Sequence, residues 1–195
     1  MPLRTEIVSG VALGLAMCVG SAAQTTIGAK HMSVREIQVQ RVTVISSDPF
    51  DEVVARIDAE IGHTDLLEFH RKLSAARNEA EMKNIVDPVA QPNGIMELAR
   101  FDLGDVLRKE SGSNRPRILR IVAGNPLIMK EMVKHVPDAG SYAPITILID
   151  ERADGVHIAY DTMVSHLAPY GNNDALHVAR GLDAKIEKII TSAAK

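Results

Sequence analysis

Three side chains in the last quarter of the chain are of types that bind metals or move protons: His157, Asp161 and His166. Imidazole and carboxylate suit zinc and other transition metals, and the same pair serves acid–base chemistry near neutral pH. His157 and Asp161 stand four residues apart in an alternating stretch and share a strand face, roughly 13 Å apart at about 3.3 Å per residue. One ion joins them only if the strand bends or a second subunit contributes; otherwise they are solvated or structurally bonded. Tyr160 shares its face with Ile158, as a core ring does, with its hydroxyl bonded at the edge. Tyr170 lies between Pro169 and Gly171 in a loop, where binding residues concentrate. Asn125 opens a helix directly after a strand, where free backbone amides hold either an anion or the cap alone. Asn125, His157, Tyr160, Asp161 and Tyr170 are the candidate ligand contacts; His157, Asp161 and His166 are the candidate metal set. No cofactor motif is evident, so a transition metal is the one cofactor these residues point to.

Several chemistries are poorly supplied. Cys18 is the one cysteine, and it falls in a segment expected to be removed, which leaves no thiolate nucleophile or ligand. There is no G-x-G-x-x-G or Walker sequence, and Ser111, Ser113 and Ser165 lack the context of a nucleophile elbow. Net charge is −3 and aromatics are 3%, so phosphate neutralisation and base stacking are both ill served and nucleic acid is not expected as a partner. Arg108, Lys109, Arg115, Arg117 and Arg120 form the one basic concentration, with Arg117 and Arg120 on opposite strand faces. Met129 and Met132 fit a core stripe better than a copper site.

The elements that must position these groups are readable. A β-branched run from Pro144 to Asp150, a turn at Asp154-Gly155, and alternation of Val156, Ile158 and Tyr160 against His157, Ala159 and Asp161 predict a hairpin. Val34 to Ser46 alternates as a first strand. Asp48-Pro49 starts a helix, with Asp48 as cap, and Gly62 ends it. Asp65-x-x-Glu68 and Asn78-x-x-Glu81 are capping-box patterns for two more helices, the second stopped at Asp87-Pro88. A turn at Gln91–Gly94, a strand from Ile95 to Leu103, an ambiguous stretch from Gly104 to Asn114 and a strand from Arg117 to Ala123 follow. Pro126 to Val136 is a helix. The last helix begins near Asn173, with Ala175, Ala179, Leu182, Ile186 and Ile189 on one stripe; Gly181 within it predicts close packing. At 195 residues with 46% apolar content, the chain suits one α+β domain over 36–195, an antiparallel sheet with helices packed mainly on one face.

Residues 1–23 have the form of a signal peptide: Arg4, an apolar stretch from Val11 to Val19, then Ser21-Ala22-Ala23. Export to the periplasm would leave a flexible lead-in from 24 to 35; a start at Met32 is the cytoplasmic alternative. The apolar stretch is too short for a stable membrane span.

Gly124-Asn125-Pro126, Tyr142-Ala143-Pro144, Asp154-Gly155-Val156-His157-Ile158 and Leu167-Ala168-Pro169-Tyr170-Gly171 together resemble domain-of-unknown-function family 302, in that family's order and spacing. The resemblance covers about Val39 to Ile190. It implies a compact α+β domain, commonly a homodimer, with no settled activity or catalytic residues. Many relatives carry Cys where this chain has Gly124 and Ile145, so a thiol role in them does not carry over. A non-enzymatic binding or interaction module, with small-molecule or protein partner open, is the first reading. A small metal-binding protein or enzyme built on His157, Asp161 and His166 is the second, and a structural homodimer the third.

Overall fold

In a computed structural model, residues 32–195 are described; the expected signal peptide lies outside them. Five strands form one antiparallel sheet in the order β1-β5-β4-β3-β2: β1 Arg41–Ser46, β2 Met96–Asp102, β3 Ile118–Gly124, β4 Ile145–Arg152 and β5 Gly155–Asp161. The helices are α1 Phe50–Glu60, α2 Leu66–Ala75, α3 Glu79–Val89, α4 Leu103–Ser111, α5 Pro126–Val133, α6 Met163–Leu167 and α7 Asn173–Ala193. This is the α+β architecture the pattern predicts, with the sheet open.

Strand register sorts the faces. Val42, Tyr160 and Ile147 lie in one row, and Val44, Ile158, Ile149 and Leu119 in the next. Most of these side chains are buried under α1, α5 and α7. From α7, Ala175, Ala179, Ile186, Ile189 and Ile190 are fully buried; each large aliphatic chain removed from water in this way stabilises the fold by about 1.5–3 kcal/mol. A smaller cluster of Phe69, Val86, Ala90 and Met96 gathers α2 and α3 near the β2 edge. The opposite face carries Arg41, Thr43, Ile45, Arg120, Val122, Thr146, Leu148, Asp150, His157, Ala159 and Asp161 in register. Among the described residues the long helices cover one face and not the other, although His157 and Ala159 on that second face are themselves buried.

Local signals act largely as expected. Asp65 and Asn78 accept from the Glu68 and Glu81 amides, each at 2.9 Å. Other boundaries move. Asp48 does not cap α1: it pairs with Arg56 at 2.6 Å, and Pro49 takes the cap position. Pro88 lies inside the final turn of α3 rather than ending it. The ambiguous stretch is α4, capped by Asp102 and closed by left-handed Gly112. The first strand is shorter than its alternation, because regular pairing with β5 starts only at Arg41. Gly62 is required by crowding, since a Cβ there would sit 1.7 Å from the Val89 carbonyl oxygen. The hairpin turns at Ala153-Asp154, with Gly155, at φ +136, starting β5 against the Ser46 carbonyl. Gly181 has open space around it instead of the expected close packing.

Candidate ligand-binding cleft

The short helix α6 brings its side chains to the sheet edge, and five residues cannot hold themselves helical in water. Its cap residue Thr162 supplies no side-chain bond. Asp183, reaching across from α7, accepts from the Met163 amide at 2.8 Å and the Val164 amide at 2.9 Å. The same carboxylate accepts from the Tyr160 hydroxyl. Burial, reinforced by this negative neighbour, pushes the Tyr160 hydroxyl far above its ordinary pKa. Ser165 adds a second tie, donating to the Thr162 carbonyl at 2.7 Å and accepting from the Gln40 amide at 3.0 Å.

So fixed, His166 stacks on Tyr142, with ring centroids 4.6 Å apart and planes 14° from parallel. The Tyr142 and Tyr170 hydroxyl oxygens lie 3.0 Å apart, a bond that raises the Tyr170 pKa. His166 Nδ1 is buried without a hydrogen-bond partner. Burial pushes this imidazole below the usual histidine range, opposed by the Asp161 and Asp183 carboxylates.

On the second sheet face Arg41 stands directly opposite Asp161 across the β1–β5 pair. It grips that carboxylate with two bonds, Nε to Oδ1 at 2.6 Å and Nη2 to Oδ2 at 2.8 Å, which holds Asp161 below the ordinary carboxylate range. Arg120, from β3, donates to Thr146 Oγ1 at 3.3 Å. These groups surround a cleft of about 380 Å³, with Leu148, Ala159, Pro144 and Ile145 as its apolar lining. A hollow of that size falls within the range of small-molecule sites.

The sequence-predicted residues divide. Tyr160, Asp161 and His166 line this one cleft. His157 does not: it is 6% exposed, and its Nε2 lies 2.8 Å from Asp154 Oδ1 across the hairpin turn. Strand extension keeps it away from Asp161, so the predicted trio is not one donor set. Tyr170 touches the cleft wall through Tyr142. Asn125 caps α5, accepting from the Leu127 amide at 2.8 Å and donating to the Gly94 carbonyl at 3.0 Å.

Among the described residues, Asp58, His63 and Glu97 do gather donor atoms within 4.8 Å of one another. Arg100, however, already bonds both carboxylates, and its pKa is driven up by them. A guanidinium holds the charge there that a metal would bring. Arg41, Tyr142 and Arg120 are the cleft residues that the spacing missed. Arg120 stood out only as one of a basic group, and nothing local in sequence marks the register that sets Arg41 against Asp161.

An open-faced antiparallel sheet backed by helices, with a polar cleft on its free face, defines a small α+β domain whose architecture names no reaction. Residues 69–193 match the family described as Domain of unknown function DUF302, and the chain belongs to that family. A similar solved structure is the crystal structure of an uncharacterized conserved protein DUF302 from Bacillus stearothermophilus, at 10% identity and a TM-score of 0.55. The likeness covers 78% of this chain and 97% of that one, and it bears on the fold alone. No curated protein matches. Among the described residues no helix is long and apolar enough to cross a membrane.

Proposed function

We propose that this domain is a non-enzymatic binding module that takes a small molecule in the cleft beside α6. The observation that carries the reading is convergence: Arg41, Arg120, Tyr142, Asp161 and His166, from distant points of the chain, surround one hollow. Native mass spectrometry of protein purified from its own host tests this. An added mass lost on denaturation, with amide shifts at Thr146, Leu148 and Ala159 when it is returned, is the expected result. Shifts confined to other surfaces would overturn the assignment.

A homodimer is a second reading, favoured by one stretch. Phe101, Leu103, Val106 and Leu107 are all at least 40% exposed, an apolar patch at β2 and α4 of the kind that marks interfaces. Val106→Glu is expected to shift a dimer toward monomer in sedimentation velocity while leaving the circular dichroism unchanged. A wild-type monomer at all concentrations would refute it.

A further inference from the structure

We propose that the cleft selects a small monocarboxylate with an apolar body, its carboxylate held by Arg120 and the adjoining hydroxyls. This rests on the binding-module reading and assigns its ligand class.

Charge pairing carries the argument. Of the basic group around β3, Arg108 pairs with Asp102, Lys109 with Asp105, Arg115 with Glu151 and Arg117 with Asp51. Arg120 has no ion pair among the described residues; its guanidinium meets Thr146 Oγ1 and sits 5.9 Å from the Phe101 ring centre. In the cleft, Arg41 and Asp161 cancel, and burial keeps His166 neutral at neutral pH. Among the side chains that line the cleft, one positive charge is left over. A planar guanidinium matches a carboxylate with two parallel bonds, and the Thr146 and Ser141 hydroxyls stand in the same lining as further donors. A phosphate dianion would bring a second negative charge, and the charge of Arg41 is already met by Asp161 along its Nε–Nη2 edge.

The remainder of the lining sets the body of the ligand. Leu148 lies beside Arg120 in the sheet, and Ala159 lies beside Leu148; Pro144 extends this apolar floor. Arg120 and Asp161 sit on strands separated by β4, roughly 10 Å across two strand spacings. A carboxylate at Arg120 therefore leaves its body over Leu148 and Ala159. The volume, about 380 Å³, is that of roughly a dozen waters at ~30 Å³ each in the liquid, which admits one ring or a short chain.

The test uses benzoate and hexanoate as probes, benzamide and hexanamide as their uncharged counterparts, and inorganic phosphate as the dianion. Affinity is read by calorimetry and location by amide chemical shifts in the whole chain. Each carboxylate is expected to bind at the cleft at least tenfold more tightly than its amide and than phosphate. Arg120→Gln is expected to lose at least tenfold in carboxylate affinity and Arg120→Lys less. Thr146→Val supplies a second variant that leaves the arginine in place, with a smaller loss expected. Amides binding the cleft as tightly as carboxylates, or phosphate more tightly, would overturn the carboxylate assignment and leave the binding module standing. No cleft shift with any probe would overturn the carboxylate assignment, and the binding module falls separately if the ligand retained from the host shifts only other surfaces.

Discussion

The carboxylate of Asp183 on α7 accepts the hydroxyl of Tyr160 on β5, and from that anchored position it receives the first two amides of α6. A residue from the last helix thus caps a helix twenty positions earlier, and the cap sets where His166 stands. The buried carboxylate is met by three donors, the condition under which such a group is tolerated.

Removal of the clamp is expected to be costly. Asp183→Ala leaves the Tyr160 hydroxyl and the Val164 amide without their acceptor, while the Met163 amide keeps its 3.2 Å bond to the Tyr160 hydroxyl oxygen. At about 1–3 kcal/mol for each of these two stranded donors, the loss should be at least ~2 kcal/mol. Tyr160→Phe leaves both amides bonded and should cost about 1–2 kcal/mol. Urea denaturation measures both. A smaller loss for Asp183→Ala than for Tyr160→Phe would show that α6 does not depend on this cap.

The cleft histidine predicts a pH dependence of stability. Its folded pKa is depressed by burial, while the unfolded chain titrates near 6.5. Between the two values the unfolded state binds the proton more readily, so stability falls as pH drops below about 6.5. The Arg41-paired Asp161 carboxylate, also depressed, loses its contribution only below about pH 4. His166→Phe keeps a ring against Tyr142 and removes the titration. The stability difference between pH 7 and pH 5 should therefore shrink in that variant, measured by denaturation at each pH. An unchanged difference would exclude His166 as its source.

Elements carried by local chemistry were legible. The caps at Asp65, Asn78 and Asn125 act through amides two or three residues away, and the hairpin alternation places Ile158 and Tyr160 inward as written. Asp161 and His166 were legible as polar residues near one another along the chain. Their partners were not, because Arg41 and Arg120 arrive through strand order, and Tyr142 through the connection before β4. His157 was misplaced among them for a related reason: sharing a face with Asp161 says nothing about Asp154, which the turn delivers to its ring. Short-range pattern specifies which way a side chain leaves a strand; the cleft depends on which strand comes to lie beside it.

Gly181 separates helix propensity from packing. Glycine within a helix costs about 0.8–1 kcal/mol relative to alanine because its backbone loses more freedom. In a crowded helix that cost would be offset by the close approach glycine allows, and Gly181→Ala would destabilise the fold. Here a Cβ meets nothing within 4 Å, and the position is on the exposed side of α7. The sign therefore reverses: Gly181→Ala is expected to stabilise by about 0.8–1 kcal/mol, raising the urea midpoint with no change in slope. A lower midpoint in a variant that remains monomeric would mean that a contact within the chain requires glycine here. A lower midpoint accompanied by loss of a dimer would place a second copy against this face of α7.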